Sequence, residues 1–368
     1  MSGERETNIV RVLIAWAGGS SSNLGVRVLG QASEDLLSRV WPDAEFEYMN
    51  YGARPPSVPW SARSLGKERI TGRLGMMEWL SSFDVLWDTR SGDSFADIYG
   101  MDRHRTMSLI HEFAVEAGVW AIMAPQTIGP FTGREARFLA RRNLKRSRLV
   151  FARDGASMQA SARLGRPVDA TVTDMVFGLR PPRETEGHDI VLNVSGLLWE
   201  PNCHVDHRVY RSAVLSIIDS LISAGRDITL LPHVLDSPAA DNDVPVARAL
   251  HEKYEGSLRL HIPDDLDDAR AVIGSSQLLI GARMHACLNA LSTGVPAVAM
   301  AYSRKFSPLL NALGWEHVVS LRDGADEIAG QVVSATSCSG LANQAQDVKH
   351  RGQDLLTAML PLIERVAA

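Results

Sequence analysis

Cysteine is scarce in this chain of 368 residues, and Cys203, Cys287 and Cys338 stand far apart with no Cys-x-x-Cys pair. An odd, dispersed set of this kind excludes a disulfide framework and the common structural zinc motifs, and it points to a reducing compartment. A basic excess is also missing: the net charge is −5, which argues against broad nucleic-acid binding. Lysine is rare, with Lys67, Lys145, Lys253, Lys305 and Lys349 set against 33 arginines (38 − 5). GC-rich codon usage accounts for that preference and leaves local anion sites open. No apolar run reaches the roughly 18 residues that a spanning helix needs. The opening "MSGERETNIVRVLIAWAGG" is polar at first, and its apolar run is too short for a signal peptide. The expected compartment is the cytoplasm or the inner face of a membrane.

What is present is a repeated alternation. With 45% hydrophobic and 22% charged residues, the composition is that of a globular protein, long enough for two cores. The strand "NIVRVLIAWA" leads into the loop "GGSSSNLG" and a helix from about Leu24 to Val40. Further strands are "EFEYMNY", "FDVLWD", "VWAIMAPQ", "RLVFAR" and "DATVTD". Residues 179–189, "LRPPRETEGHD", mix proline and charge and read as a linker. A second round follows through "IVLNVSG", "DITLLPHV", "LRLHIP", "QLLIGAR", "PAVAMAY" and "HVVSL". Short apolar strands separated by helix-length stretches signify parallel sheets covered on both faces. The expectation is an α/β chain with two Rossmann-like, doubly wound domains, residues 1–180 and 181–340, facing across a cleft. A closing helix should span 341–368. Ligands in such folds bind beyond the carboxyl ends of the strands.

Several strand ends carry chemistry-bearing residues. "GGSSSNLG" could bring backbone close to a ligand, or Asn23 could simply cap the helix. It is not a G-x-G-x-x-G fingerprint, so a dinucleotide reading is weak. "WDTRSGDSFADIYG", residues 87–100, gathers Asp88, Arg90, Asp93, Ser94, Asp97 and Tyr99 after one buried strand. Such polar density suits hydroxyl or metal binding, with helix capping by Asp93 or Ser94 as the plainer reading. Arg153 in "FARDGASM" stands at a strand tip where a guanidinium can fork onto an anion, or pair with a neighbouring acid. His233 ends "LLPHV". Cys203, His204, Asp206 and His207 share one loop, but their spacing matches no usual zinc pattern. The acidic run "PDDLDDA" reads as a helix cap.

The stretch "LLIGARMHACLNALSTGVPAVAMAYSRKF", residues 278–306, is stronger. Arg283 falls where a buried strand gives way to a helix, and an arginine there needs a partner. His285 sits in the helix's first turn, and Lys305 follows the next strand. Together they suggest an anion site with a general acid or base.

With those residues in hand, the chain resembles the polysaccharide pyruvyl transferase family. The resemblance rests on Arg283-x-His285, Gly294-Val295-Pro296, Tyr302 and Lys305. Weaker likenesses are "TIGPF", "VFARDGASM", "TVTDMVF" and "LLPHV". It implies a GT-B-like fold and transfer of pyruvate from phosphoenolpyruvate (PEP) to sugar hydroxyls as a ketal. The acceptor would be a saccharide or lipid-linked saccharide of an exopolysaccharide or the cell envelope. Arg153, Arg283, His285 and Lys305 would hold PEP, with His285 as general acid and Arg283 beside it as catalytic partner. No metal or resident cofactor is implied. The usual Asn-x-Gly-Asp-Glu is reduced to Asn23-Leu24-Gly25-Val26-Arg27, and the glycine-rich loop after strand three is replaced. The acceptor side, assigned to Asn23, Asp88, Arg90, Asp93, Ser94 and His233, therefore departs most. A nucleotide-sugar glycosyltransferase and a non-catalytic glycan-binding relative remain alternatives, and homo-oligomerisation stays open.

Overall fold

The computed structural model describes residues 9–50, 58–59, 61–238, 241–303 and 306–367. Two six-stranded parallel sheets carry the architecture. The first is built from β1 (Arg11–Ala15), β2 (Glu45–Met49), β3 (Val85–Asp88), β4 (Trp120–Gln126), β5 (Leu149–Ala152) and β6 (Ala170–Thr171), ordered β2-β1-β3-β4-β5-β6. The second comprises β7 (His188–Asn193), β8 (Ile228–Leu230), β9 (Leu258–Leu260), β10 (Ser276–Gly281), β11 (Ala297–Ala301) and β12 (Val318–Ser320). Its order is β12-β11-β10-β7-β8-β9.

Both orders reverse direction at one point, between β1 and β3 in the first sheet and between β7 and β10 in the second. At such a switch point the loops leave in opposite directions and open a crevice at the carboxyl edge. The strands that flank it are apolar on both faces: every residue of β3 is buried, as are Val12–Ala15 of β1 and Leu278–Gly281 of β10. Helices on the two sides supply the cover that this pattern demands. In the first sheet, Leu13, Ala15, Leu86 and Met49 pack with Met107 and Phe113 of the helix Met101–Glu116. A second cluster joins Met123 and Val150 to Ala140 and Leu144 of the helix Arg134–Arg146. Each such leucine stabilises the fold by roughly 1.5–3 kcal/mol.

By backbone contacts the chain falls into two compact units. One comprises Met1–Gly19, Leu29–Leu179 and Leu355–Ala368; the other comprises Ser20–Val28 and Arg180–Asp354. Where the sequence suggests one closing helix there are two, Leu341–Thr357 and Leu360–Ala367. Pro361 lies in the first turn of the second, where a proline is tolerated, and it lacks the N–H that would continue the first. Among the described residues no helix is long and apolar enough to cross a membrane.

Candidate functional site

In the second unit the carboxyl edge is organised around a carboxylate, Asp243, that is completely buried. Its Oδ1 accepts from the backbone N–H of Gly196 at 2.8 Å and from Arg283 Nη2 at 2.6 Å. Its Oδ2 accepts from the N–H groups of His233 and Val234 at 3.1 and 3.0 Å. One side chain therefore ties together the loops that follow β7, β8 and β10. Gly196 has to be glycine here, because a Cβ would meet the carbonyl oxygen of Asn242 at 1.8 Å. Asn193, the last residue of β7, completes the frame: its Oδ1 accepts from Arg283 N–H at 3.1 Å and its Nδ2 donates to Leu231 O at 3.0 Å.

Arg283 is held accordingly. Its Nε lies 3.2 and 3.3 Å from the two oxygens of Asp243, and Nη2 also donates to the carbonyl of Asp241. Burial alone would lower its pKa, but the charge and hydrogen bonds of Asp243 outweigh burial and hold it above the usual arginine value. The guanidinium is fixed in orientation and charge, with 8% of the residue still exposed. It immediately precedes the helix Met284–Thr293, which no side chain caps. That helix can form because its small residues pack between β10 and β11, and it stops at Gly294, whose φ of 87° suits only glycine.

His285, half-buried, lies in the first turn of that helix. Its Nδ1 would sit 2.7 Å from a Cβ at Gly25, so the backbone of residue 25 packs directly on the imidazole. Asn23 and Val234 form an antiparallel bridge, Leu24 N–H donates to His233 O at 3.1 Å, and Leu235 N–H donates to Ser22 O at 2.7 Å. Asn23 itself turns the chain, its Oδ1 accepting from Gly25 N–H at 2.9 Å. The capping alternative accounts for this side chain. Beneath His285 lies His233, buried, with its pKa pushed down to about 3 by burial first and then by the charges of His285 and Arg283. Asn289 Nδ2 meets His233 Nε2 at 3.0 Å, while Asn289 Oδ1 accepts from Arg270 Nη1 at 2.7 Å. Arg270 thereby sets the amide's orientation, and the amide sets a neutral His233 with its proton on Nδ1.

The first unit holds the other expected residues, and two of them lie deeper than the sequence suggests. Asp88 and Arg90, expected in an acceptor-binding loop, both have zero exposure. Arg90 and Ser91 adopt left-handed backbone with φ of 47° and 50°, which turns the arginine inward. Its Nε lies 2.8 and 3.0 Å from the Asp88 oxygens, Nη2 donates to Asn143 Oδ1 at 2.8 Å, and the guanidinium lies 4.7 Å from the Phe95 ring centroid. Burial would raise the pKa of Asp88, but Arg90 and the hydrogen bond from His111 at 2.8 Å lower it overall. This is an interior ion-pair network that fastens β3 to its covering helices. Nearer the surface, Asp93 accepts from Tyr99 OH at 2.7 Å and Ser94 Oγ from Arg103 Nε at 3.1 Å.

Arg153 stands just past β5 but is only 2% exposed. Its partner is Asp174 at 3.0 Å, and its Nε donates to Thr127 Oγ1 at 2.9 Å. Asp154 caps the helix Gly155–Arg163 through Ser157 N–H at 2.7 Å, as its position suggests. Asp206 likewise caps His207–Ser223, and His204 makes an edge contact with Tyr302, ring centroids 5.3 Å apart. Lys305 lies outside the described residues.

The structure thus gathers Arg283, His285, His233 and Asn23 at one edge, and adds residues that the sequence did not single out. Asp243, Asn193, Asn289 and Arg270 are those additions. The only local signal for Asp243 was the need of a buried Arg283 for an acid.

Solved structures with the same fold include a candidate UDP-N-acetylglucosamine 2-epimerase from Listeria monocytogenes, with TM-score 0.60, 10% identity, and 96% of this chain and 95% of that one covered. The UDP-N-acetylglucosamine 2-epimerase of Neisseria meningitidis bound to UDP-GlcNAc has TM-score 0.55 at 12% identity over 97% and 100% of the chains. Anabaena Alr3699/HepE in complex with UDP and glucose has 0.52 at 9% over 97% and 99%. At such identities the likeness establishes the GT-B class of fold and nothing about substrate. No curated protein matches the chain by sequence. The family model for polysaccharide pyruvyl transferase matches residues 23–304, from the Asn23 turn past the Arg283–His285 helix, and the chain belongs to that family.

Proposed function

We propose that the protein transfers the pyruvyl group of PEP to two hydroxyls of a saccharide, releasing phosphate and leaving a pyruvate ketal. The observation that carries this reading is the orientation of Arg283. Asp243 holds its charge in place directly before an uncapped helix whose first turn carries His285. A donor with one phosphate and one carboxylate calls for fixed cationic and N–H groups of this kind.

In this reading His285 delivers a proton to the methylene carbon of PEP, leaving a cationic carbon that bears the phosphate ester. A saccharide hydroxyl adds there and loses its proton; the C–O bond to phosphate then breaks. A second hydroxyl adds to the resulting cation, loses its proton and closes the ketal. His233, neutral and fixed beneath His285, keeps a second positive charge away from the proton donor. The family resemblance also offers Arg153 and Lys305 as PEP ligands. None of these steps calls for a metal. The saccharide, free or lipid-linked, is a constituent of a polysaccharide or of the cell envelope.

Calorimetric titration of PEP, with UDP- and GDP-sugars as controls, tests the donor. Wild type is compared with Arg283→Lys, which keeps the charge opposite Asp243 but loses the planar fork. PEP binding weakened by about tenfold or more in the variant supports the assignment, on the scale of one charge-assisted hydrogen bond. Binding of a nucleotide sugar in place of PEP overturns it.

A further inference from the structure

The helix Arg134–Arg146 carries six basic side chains and one acidic one, a net of +5 (6 − 1), in a chain whose total is −5. At about 100° per residue, Arg134, Arg137, Arg141 and Lys145 fall within an arc of roughly 80°. Phe138 lies at the border of that arc and is 63% exposed. The buried Ala136, Ala140, Asn143 and Leu144 lie outside that arc, and Ala140 and Leu144 anchor the helix on the sheet.

Nearby acids do not neutralise this face. Glu135 pairs with Arg105, and Glu112 pairs with Arg142 and Arg146. None of the four remaining cations forms an ion pair with a described residue. Just beyond the helix, the Arg148 guanidinium sits 5.5 Å from the ring centroid of Trp120, itself 37% exposed. An ordinary solvated helix face mixes both signs at i, i+3 and i, i+4, because like charges there repel. Here Arg134/Arg137, Arg137/Arg141 and Arg141/Lys145 are all like pairs, with an aromatic ring among them.

We propose that this face docks onto the anionic lipid surface of a membrane. The cations lie close to the phosphate plane, and Phe138 and Trp120 enter the interface, where aromatic rings are favoured. The convex, single-helix face and the lone Phe138 suit a plane of headgroups better than a nucleic-acid strand, which needs an enclosing groove with stacking platforms. This inference does not depend on the donor assignment. Docking would place the enzyme beside lipid-linked saccharides.

Flotation with phosphatidylcholine vesicles, with and without phosphatidylglycerol, tests it. The wild type should bind only the phosphatidylglycerol vesicles and should leave them at high salt, where the Debye length falls to about 3 Å. Each cation contributes about fivefold, so Arg134→Gln/Arg137→Gln/Arg141→Gln/Lys145→Gln should weaken binding several-hundredfold. Phe138→Ser should weaken it about tenfold. All five positions are exposed, so the thermal midpoint should hold, and Arg163→Gln on another exposed helix should change nothing. No binding by the wild type, equal binding to neutral vesicles, or unchanged binding by the fourfold variant overturns the proposal. So does capture by single-stranded DNA through the same four residues when vesicles are ignored.

Discussion

Arg283 and Asp243 meet at 2.6 Å, the carboxylate without any exposure and the guanidinium side chain with 9%. A buried pair is tolerated because each charge is the other's solvent, so removing one member costs more than removing both. Asp243→Asn should lower unfolding stability by about 3–5 kcal/mol. Arg283→Met should do the same, whereas Arg283→Met with Asp243→Asn should lose less than the sum of the two single losses. Denaturant unfolding of the four proteins measures this, and additive losses would deny the coupling.

His233 and His104 make stability depend on pH. Both are fully buried and neutral, with pKa values pushed down by burial to about 3 and about 4 from an ordinary 6.5. The unfolded chain binds protons more readily than the folded one below pH 6.5, so stability is lost as pH falls toward those values. The depressed carboxyls of Asp88 and Glu112 act in the same direction, but only below their unfolded pKa of about 4. The interval from pH 6.5 to 5 therefore isolates the histidines. Each should contribute about 0.7 kcal/mol per pH unit at pH 6.5, rising toward about 1.3 at pH 5, and His233→Gln should flatten the slope by that amount. A flat wild-type profile over the interval would contradict the buried neutral state.

Much of the fold could be read from the sequence, because strands buried on both faces announce themselves as apolar runs. "QLLIGAR" and "PAVAMAY" became β10 and β11 to within two residues at either end. The block around Arg283 and His285 stood out because an arginine at the end of a buried strand violates the local pattern. What could not be read was which acid answers it, since Asp243 is 40 residues away and its own neighbourhood resembles a helix cap. Asp88 and Arg90 misled for the converse reason. Their spacing suggests an exposed polar loop, and only the left-handed backbone at residues 90 and 91 turns the side chain into the core. For Asn23 the capping alternative was legible, and its side-chain oxygen accepts from the N–H of Gly25 within the turn.

The burial of Asp88 and Arg90 can be set against the acceptor role expected of them. If these two side chains only fasten the interior, Asp88→Asn should cost about 3–5 kcal/mol of stability, as a broken buried pair does. The folded fraction should keep its acceptor KM. Asp93→Ala, whose partner Tyr99 is 45% exposed, should cost under about 1 kcal/mol. A raised acceptor KM with unchanged stability in Asp88→Asn would return the residue to the binding surface.

Gly25 offers the sharpest separation of fold from chemistry. Its φ lies outside the left-handed region, and alanine is intrinsically better in a helix by about 1 kcal/mol, so Gly25→Ala gives the backbone no reason to unfold. The new methyl would nevertheless lie 2.7 Å from His285 Nδ1 and 2.9 Å from Cγ, closer than real Cβ contacts come. The imidazole must shift, and a displacement of about 1 Å in a proton donor is enough to lower turnover on the order of a hundredfold. If Arg283 and the helix N-terminus hold the donor as proposed, PEP affinity should change little. Turnover close to wild type would mean that the position of His285 does not limit the reaction. A large loss of PEP affinity would instead place His285 among the binding groups rather than at the proton transfer.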